Sequence, residues 1–237
     1  GPKKRNVHIS SDLNAKISGS DSESIRLNEL VNDMQIKIKN GEDVNGHLSK
    51  LIFRKLDETD KMLDDWNIYH LHLCLGNPDV FDDSRVQSRD LLMATILFGD
   101  AYFIDITKHS NDDWYLKEYL KIIKNNWESE LLIKHDDISD VPNLDERVST
   151  IKSLRKANIN SIIHKIGDSY YSVKYTMGYS MAGTSSKAMI ALISLNKYLQ
   201  KLDFDYDHME FYEYNINCFC KIYDTNGDFV ELFLNIN

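Results

Sequence analysis

The sequence predicts an α+β fold, and three observations carry that reading. An amphipathic helical period opens the ordered part of the chain, period-two alternation follows it, and glycine-centred turns then join paired apolar runs. The expected architecture is a set of N-terminal helices, an antiparallel sheet built from hairpins, and helices packed on one face of that sheet.

The helical period begins at Ile25 and continues through Leu27, Leu30, Val31, Met34 and Ile38, one face of a helix that Asn40-Gly41 ends. Ahead of it, residues 1–24 contain KKRNVH and the run SGSDSES, and they read as a flexible leader. A second helix is predicted from Asn45 to about Leu63, with Leu48, Leu51, Ile52, Leu56 and Met62 inward. The period then shortens to two. Trp66 to Leu75 alternates cleanly and stops at Gly76-Asn77-Pro78, as a strand closed by breakers does.

Leu91–Phe98 and Ala101–Thr107, separated by Gly99-Asp100, predict a hairpin. Trp114 to Trp127 returns to helical spacing. A polar stretch from His135 to Asn143 marks a boundary, so residues 25–135 and 143–237 are expected as two α+β regions or one continuous domain. The second region contains a short helix at 148–155 and a hairpin turning at Gly167-Asp168. A helix opening after Gly183 follows, and a final hairpin runs 211–223 against 229–236 around Asn226-Gly227.

Composition narrows the functional classes. With 42% hydrophobic and 27% charged residues the chain resembles an ordinary folded protein. Three cysteines, Cys74, Cys218 and Cys220, do not make a disulfide framework, which fits a reducing compartment. No run approaches the roughly 18 apolar residues of a membrane span, and the N-terminus lacks the apolar centre of a signal peptide. A cytoplasmic protein with no membrane partner is the expectation. The net charge of −9 opposes loose binding to nucleic acid, yet it permits a local basic pocket and favours a basic protein partner.

The candidate site follows from alternation. In a strand, residues two apart share a face, so Leu71, Leu73 and Leu75 are expected inward and His70, His72 and Cys74 on the opposite, solvent face. His109 ends the next strand pair, and Arg85, Ser88 and Arg89 lie in the polar connection between them. Convergent imidazoles beside guanidinium groups suit metal-free phosphodiester cleavage. One histidine takes the proton of the ribose 2′-hydroxyl, another protonates the leaving oxygen, and arginine stabilises the phosphate charge. On this reading His70, His72, His109 and Arg89 are catalytic, and Arg85, Ser88 and Lys108 bind.

Two helices, a strand set and a further helix, together with RDLLMATILFGDAYFIDITKH, in which Arg89 precedes a strand pair ending in Lys108-His109, resemble RelE-type bacterial ribonuclease toxins over residues 26–130. That resemblance implies an endoribonuclease effector of a toxin–antitoxin or phage-defence system, acting on RNA without a cofactor and held by an antitoxin. Two alternatives stay open. His70, His72 and Cys74 could ligate zinc in a metal-dependent enzyme, or the acidic chain could be a non-enzymatic interaction or inhibitor protein. Separately, Gly178 to Lys187 has the look of a phosphate loop but places its lysine three residues too late, which leaves Lys187 a candidate anion contact at a helix start.

Overall fold

The structure is a computed structural model that describes residues 3–49, 60–76, 78, 89–108, 118–137, 153 and 163–176. For 208–214, 217–223 and 229–234 it describes the backbone strands. The fold is α+β, as the periodicities predict. Its central feature is a four-stranded sheet in the order β1 (Asn6–Ile9), β4 (Asp100–Lys108), β3 (Asp90–Ile96), β2 (Tyr69–His72). The predicted hairpin is β3 and β4, antiparallel, with a register slip between Met93 and Ala94. β2 pairs antiparallel with β3, and β1 runs parallel to β4.

The leader is where expectation and structure part. Residues 6–9 form the edge strand β1, and Ser11–Ile17 form helix α1, capped by Ser10, whose Oγ accepts from Leu13 N at 2.9 Å and donates to Ile104 O at 2.6 Å. Leu13 and Ile17, four apart, are the buried face of α1. Their partners lie nearly a hundred residues away on β4, so no local window shows the apolar surface that orders them.

Helix α2 (Ser22–Asn40) starts at Asp21, whose carboxylate accepts from Glu23 N and Ser24 N. It ends at Gly41 in the left-handed conformation (φ 74°), where a β-carbon would lie 2.8 Å from Lys4 N. Glycine is therefore required there twice over, by dihedral and by space. The predicted 45–63 helix is replaced at its ends by a 3₁₀ turn, Asn45–His47, and a short helix α3 (Lys61–Trp66); residues 50–59 lie outside the described residues. Trp66 thus closes a helix rather than opening a strand, and Asn67 (φ 53°) makes the reversal into β2.

Helix α4 (Glu118–Leu131) is broken at Trp127 and leads into β5 (Leu132–His135), a strand with no sequence expectation. β5 joins β7 (Ser169–Val173) and β6 (His164–Ile166) in a three-stranded antiparallel sheet whose β6–β7 turn is the predicted Gly167-Asp168. The C-terminal strands β8 (His208–Tyr214), β9 (Asn217–Tyr223) and β10 (Phe229–Leu234) form a meander, one strand more than the predicted hairpin. The predicted helices at 148–155 and after Gly183 fall outside the described residues, apart from Ser153.

Helices cover both faces of the central sheet rather than one. Leu71, Leu92, Ala94, Ala101 and Phe103 pack with Leu13, Leu30, Val31, Met34 and Ile38 of α1 and α2. Leu91, Met93, Tyr102 and Ile104 pack with Met62, Trp66, Leu120, Ile123 and Trp127 of α3 and α4. The sheet therefore lies between two cores, and its strands are apolar on both sides. Among the described residues no helix is long and apolar enough to cross a membrane.

Candidate acid/base site

The sheet places β2 at an edge, with His70 opposite Met93 and His72 opposite Leu91, both on the α3–α4 side. Leu71 and Leu73 turn to the α1–α2 side and are buried, so the alternation expected of this segment holds. Its second half does not. His70 and His72 are each 6% exposed, not solvent-facing, and Leu75, expected inward, is 57% exposed. The physical reason is the second core: α3 and α4 cover the face that an outward polar row would have needed to keep wet.

Asp60 shapes what lies there. It is the N-cap of α3, with Oδ1 accepting from Met62 N at 3.1 Å and Leu63 N at 3.3 Å. Its Oδ2 lies 3.0 Å from His70 Nδ1, an electrostatic contact in which ring and carboxylate are not aligned for a straight hydrogen bond. Burial pushes the Asp60 carboxyl up, but His70 and the two amide donors outweigh it and hold the group below the usual carboxylate range. The His72 ring stands edge-on to His70, with centroids 5.9 Å apart. Asp64 and Asp65 of α3 are also buried. The result is a buried carboxylate close to one imidazole with a second imidazole beside it, built at the start of a short helix and of a strand.

Two further buried histidines have roles that their partners define. His47 Nδ1 is 2.8 Å from His72 O, which only accepts, and its Nε2 is 3.4 Å from Lys37 Nζ, which only donates. The ring is therefore a neutral Nδ1–H tautomer, in keeping with a pKa lowered chiefly by burial. His164 Nε2 accepts from Trp66 Nε1 at 3.1 Å, so it too is neutral at that atom and ties β6 to α3.

Of the other predicted residues, Arg89 immediately precedes β3, beside Leu91 and so at the His72 end of the sheet. It is exposed and left-handed (φ 55°), a conformation an arginine seldom adopts without cause. Lys108 reaches the same end but turns to α2. Its Nζ lies 3.1 Å from Asp90 and 3.4 Å from Glu23, and Arg26 binds the same two carboxylates at 2.8 Å. Asp90 is 1% exposed, so this four-residue network fastens α2 to the sheet edge, and Lys108 has its charge committed there. Glu23 is held at a pKa of about 2, first by its hydrogen bonds from Arg26.

Cys74 lies past the end of β2 with Sγ 3.8 Å from His47 Nδ1. Among the described residues no group of three His, Cys, Asp or Glu side chains is placed to hold a metal ion. Arg85, Ser88, His109 and Lys187 lie outside the described residues.

A second carboxylate–imidazole pair escaped the sequence reading. His8 Nε2 is 2.9 Å from Asp100 Oδ1, which also accepts from Asn6 Nδ2 at 3.3 Å, and the His8 ring stacks on Tyr102 at 4.8 Å. The signal was Asn6-x-His8 two apart ahead of a capping serine, obscured because the segment reads as a leader.

Comparison of the chain with protein-family models, with curated proteins and with solved structures gives no match.

Proposed function

We propose that the chain is an RNA-directed acid/base enzyme, a cytoplasmic ribonuclease effector with Asp60, His70 and His72 as its chemical centre. The observation that supports this is the Asp60–His70 contact of 3.0 Å with His72 at its flank, inside the protein. A buried carboxylate beside an imidazole is a weak source of stability compared with apolar packing. Clusters of buried titratable groups are instead a mark of functional sites.

In the proposed reaction His70, oriented by Asp60, takes the proton of a ribose 2′-hydroxyl. The alkoxide attacks the adjacent phosphorus, and His72 or His109 protonates the departing 5′-oxygen, giving a 2′,3′-cyclic phosphate. Arg89 stabilises the phosphate charge from the sheet end. Because both rings are 6% exposed, the substrate reaches them only with local opening of their surroundings.

The test is cleavage of an end-labelled single-stranded RNA in EDTA by His70→Asn and His72→Asn proteins whose circular dichroism matches the parent. Loss of about 10²–10⁴-fold is expected for each, the usual worth of a general acid or base. Parental cleavage by both folded variants would remove the proposal. A second reading draws on the net charge of −9: an acidic protein that docks on a basic protein partner. It predicts a stoichiometric protein complex and no RNA cleavage.

A further inference from the structure

A basic feature among the described residues lies far along β4 from His70 and His72, at the Gly99–Asp100 end. A shallow groove of about 400 Å³ is lined by Lys4, Arg5, Asn6, Val7, Lys39 and Gly99. Three cations and no carboxylate line it, on a chain of net charge −9. The fold makes this groove. Arg5 N donates to Ile38 O at 3.3 Å, and Gly41 lets the backbone of Lys4 pass close to the end of α2, so the leading strand lies against the Lys39 turn. Arg5 is anchored in the floor, with Nε on Leu97 O at 2.8 Å and an Nη on Lys3 O at 2.9 Å.

Lys4 and Lys39 are exposed and have no ion-pair partner among the described residues, in contrast to Lys37, which is buried against Asp33. The bland account is that these lysines offset the negative end of α2. Yet the terminal carbonyls there already have partners: Ile38 O accepts from Gly41 N and Arg5 N, and Lys37 O accepts from Glu42 N. The neighbouring carboxylate, Asp100, is occupied by His8 and Asn6. At the groove's rim Phe98 is 67% exposed on the β3–β4 turn, with the Lys3 ammonium over its ring.

We infer that this groove is a docking site for single-stranded RNA, in which Lys4, Arg5 and Lys39 take successive backbone phosphates and Phe98 stacks a base. The inference rests on the proposed RNA-directed activity and assigns it a strand-binding surface separate from the histidines. An unpaired cation row beside an exposed aromatic is how sequence-tolerant single-strand sites are composed. The groove supplies a local positive field on an acidic chain.

The experiment is a fluorescence-anisotropy titration of a short labelled single-stranded RNA over a range of KCl concentrations. It uses His70→Asn protein, so that cleavage does not intervene, with and without Lys4→Ala/Lys39→Ala. Expected is salt-dependent binding by the parent. The double variant should bind about 10-fold or more weakly, with a log–log salt slope smaller by about 1.4, from about 0.7 per phosphate contact on single strands. Phe98→Ala should weaken binding further without changing that slope. Parental affinity and slope in the double variant overturn the inference, as does a parent that ignores RNA and binds only an acidic peptide. Failure of the two proposals is distinguishable. RNA bound through the groove but not cleaved by the unaltered protein ends the enzymatic reading alone, whereas RNA cleaved by a double variant of undiminished affinity ends the groove alone.

Discussion

The two edges of the central sheet carry the same pair of side chains in opposite surroundings. On the β2 edge, Asp60 and His70 meet at 3.0 Å with side chains 6% and 7% exposed; on the β1 edge, Asp100 and His8 meet at 2.9 Å with 38% and 42% exposed. Distance is nearly equal, so environment decides what each pair does. At one separation the Coulomb energy is about four times larger at an effective dielectric near 20 than in bulk water. Burial also opposes the Asp60 charge, and His70 with two amide donors outweighs it. The exposed pair is screened and free to exchange with water. One edge therefore holds its pair away from water and the other holds its pair within reach of water.

The largest expected effect breaks the buried edge. Asp60→Ala removes the carboxylate 3.0 Å from His70 Nδ1 and uncaps α3, and should cost about 1–3 kcal/mol for the lost buried contact plus about 1 kcal/mol for the cap. Asp60→Asn, which keeps an acceptor for Met62 N and Leu63 N, should cost visibly less. Urea denaturation measures both, and a loss below about 1 kcal/mol for Asp60→Ala would erase the contrast between the edges.

Acid titration sharpens the comparison next. His47, behind β2, has its pKa lowered from 6.5, so the unfolded chain binds its proton more readily and stability is complete above 6.5 and falls as pH drops below it. Asp60, an acid with a lowered pKa, contributes stability present above 3.8 and lost only as pH falls beneath that value. Two acid steps are expected in denaturation midpoints against pH, and His47→Gln should remove the upper one. The smallest effect belongs to the exposed edge: Asp100→Ala should cost under about 1 kcal/mol, shrinking as salt is added. A salt-insensitive loss above about 2 kcal/mol would mean that this pair too acts as a buried one.

Much of the fold was legible from local signals. Apolar spacing placed α2, the Gly99-Asp100 and Gly167-Asp168 turns placed two hairpins, and Gly41 placed a helix end. These features depend on residues within a few positions of one another. The leader was misread because Val7, Ile9, Leu13 and Ile17 are too few for a strand and helix to stand alone, and a seven-residue helix lies below the length that forms unaided. Trp66 was read one element late because its alternating neighbours fit a strand as well as the end of α3.

For the candidate site the division is sharper. Alternation alone set the parity of His70 and His72 against Leu71 and Leu73, because a strand's side-chain period is two whatever surrounds it. Whether the histidine face was wet or dry depended on α3 and α4, and Asp60 became its partner only through the packing of one helix end on one strand. The parallel seating of β1 on β4, which assembles both the His8–Asp100 pair and the basic groove, joins segments ninety-four positions apart. Periodicity is a property of neighbours along the chain, whereas solvent exposure and charge pairing belong to neighbours in space. That is why the first could be read from the residues and the second waited for the fold.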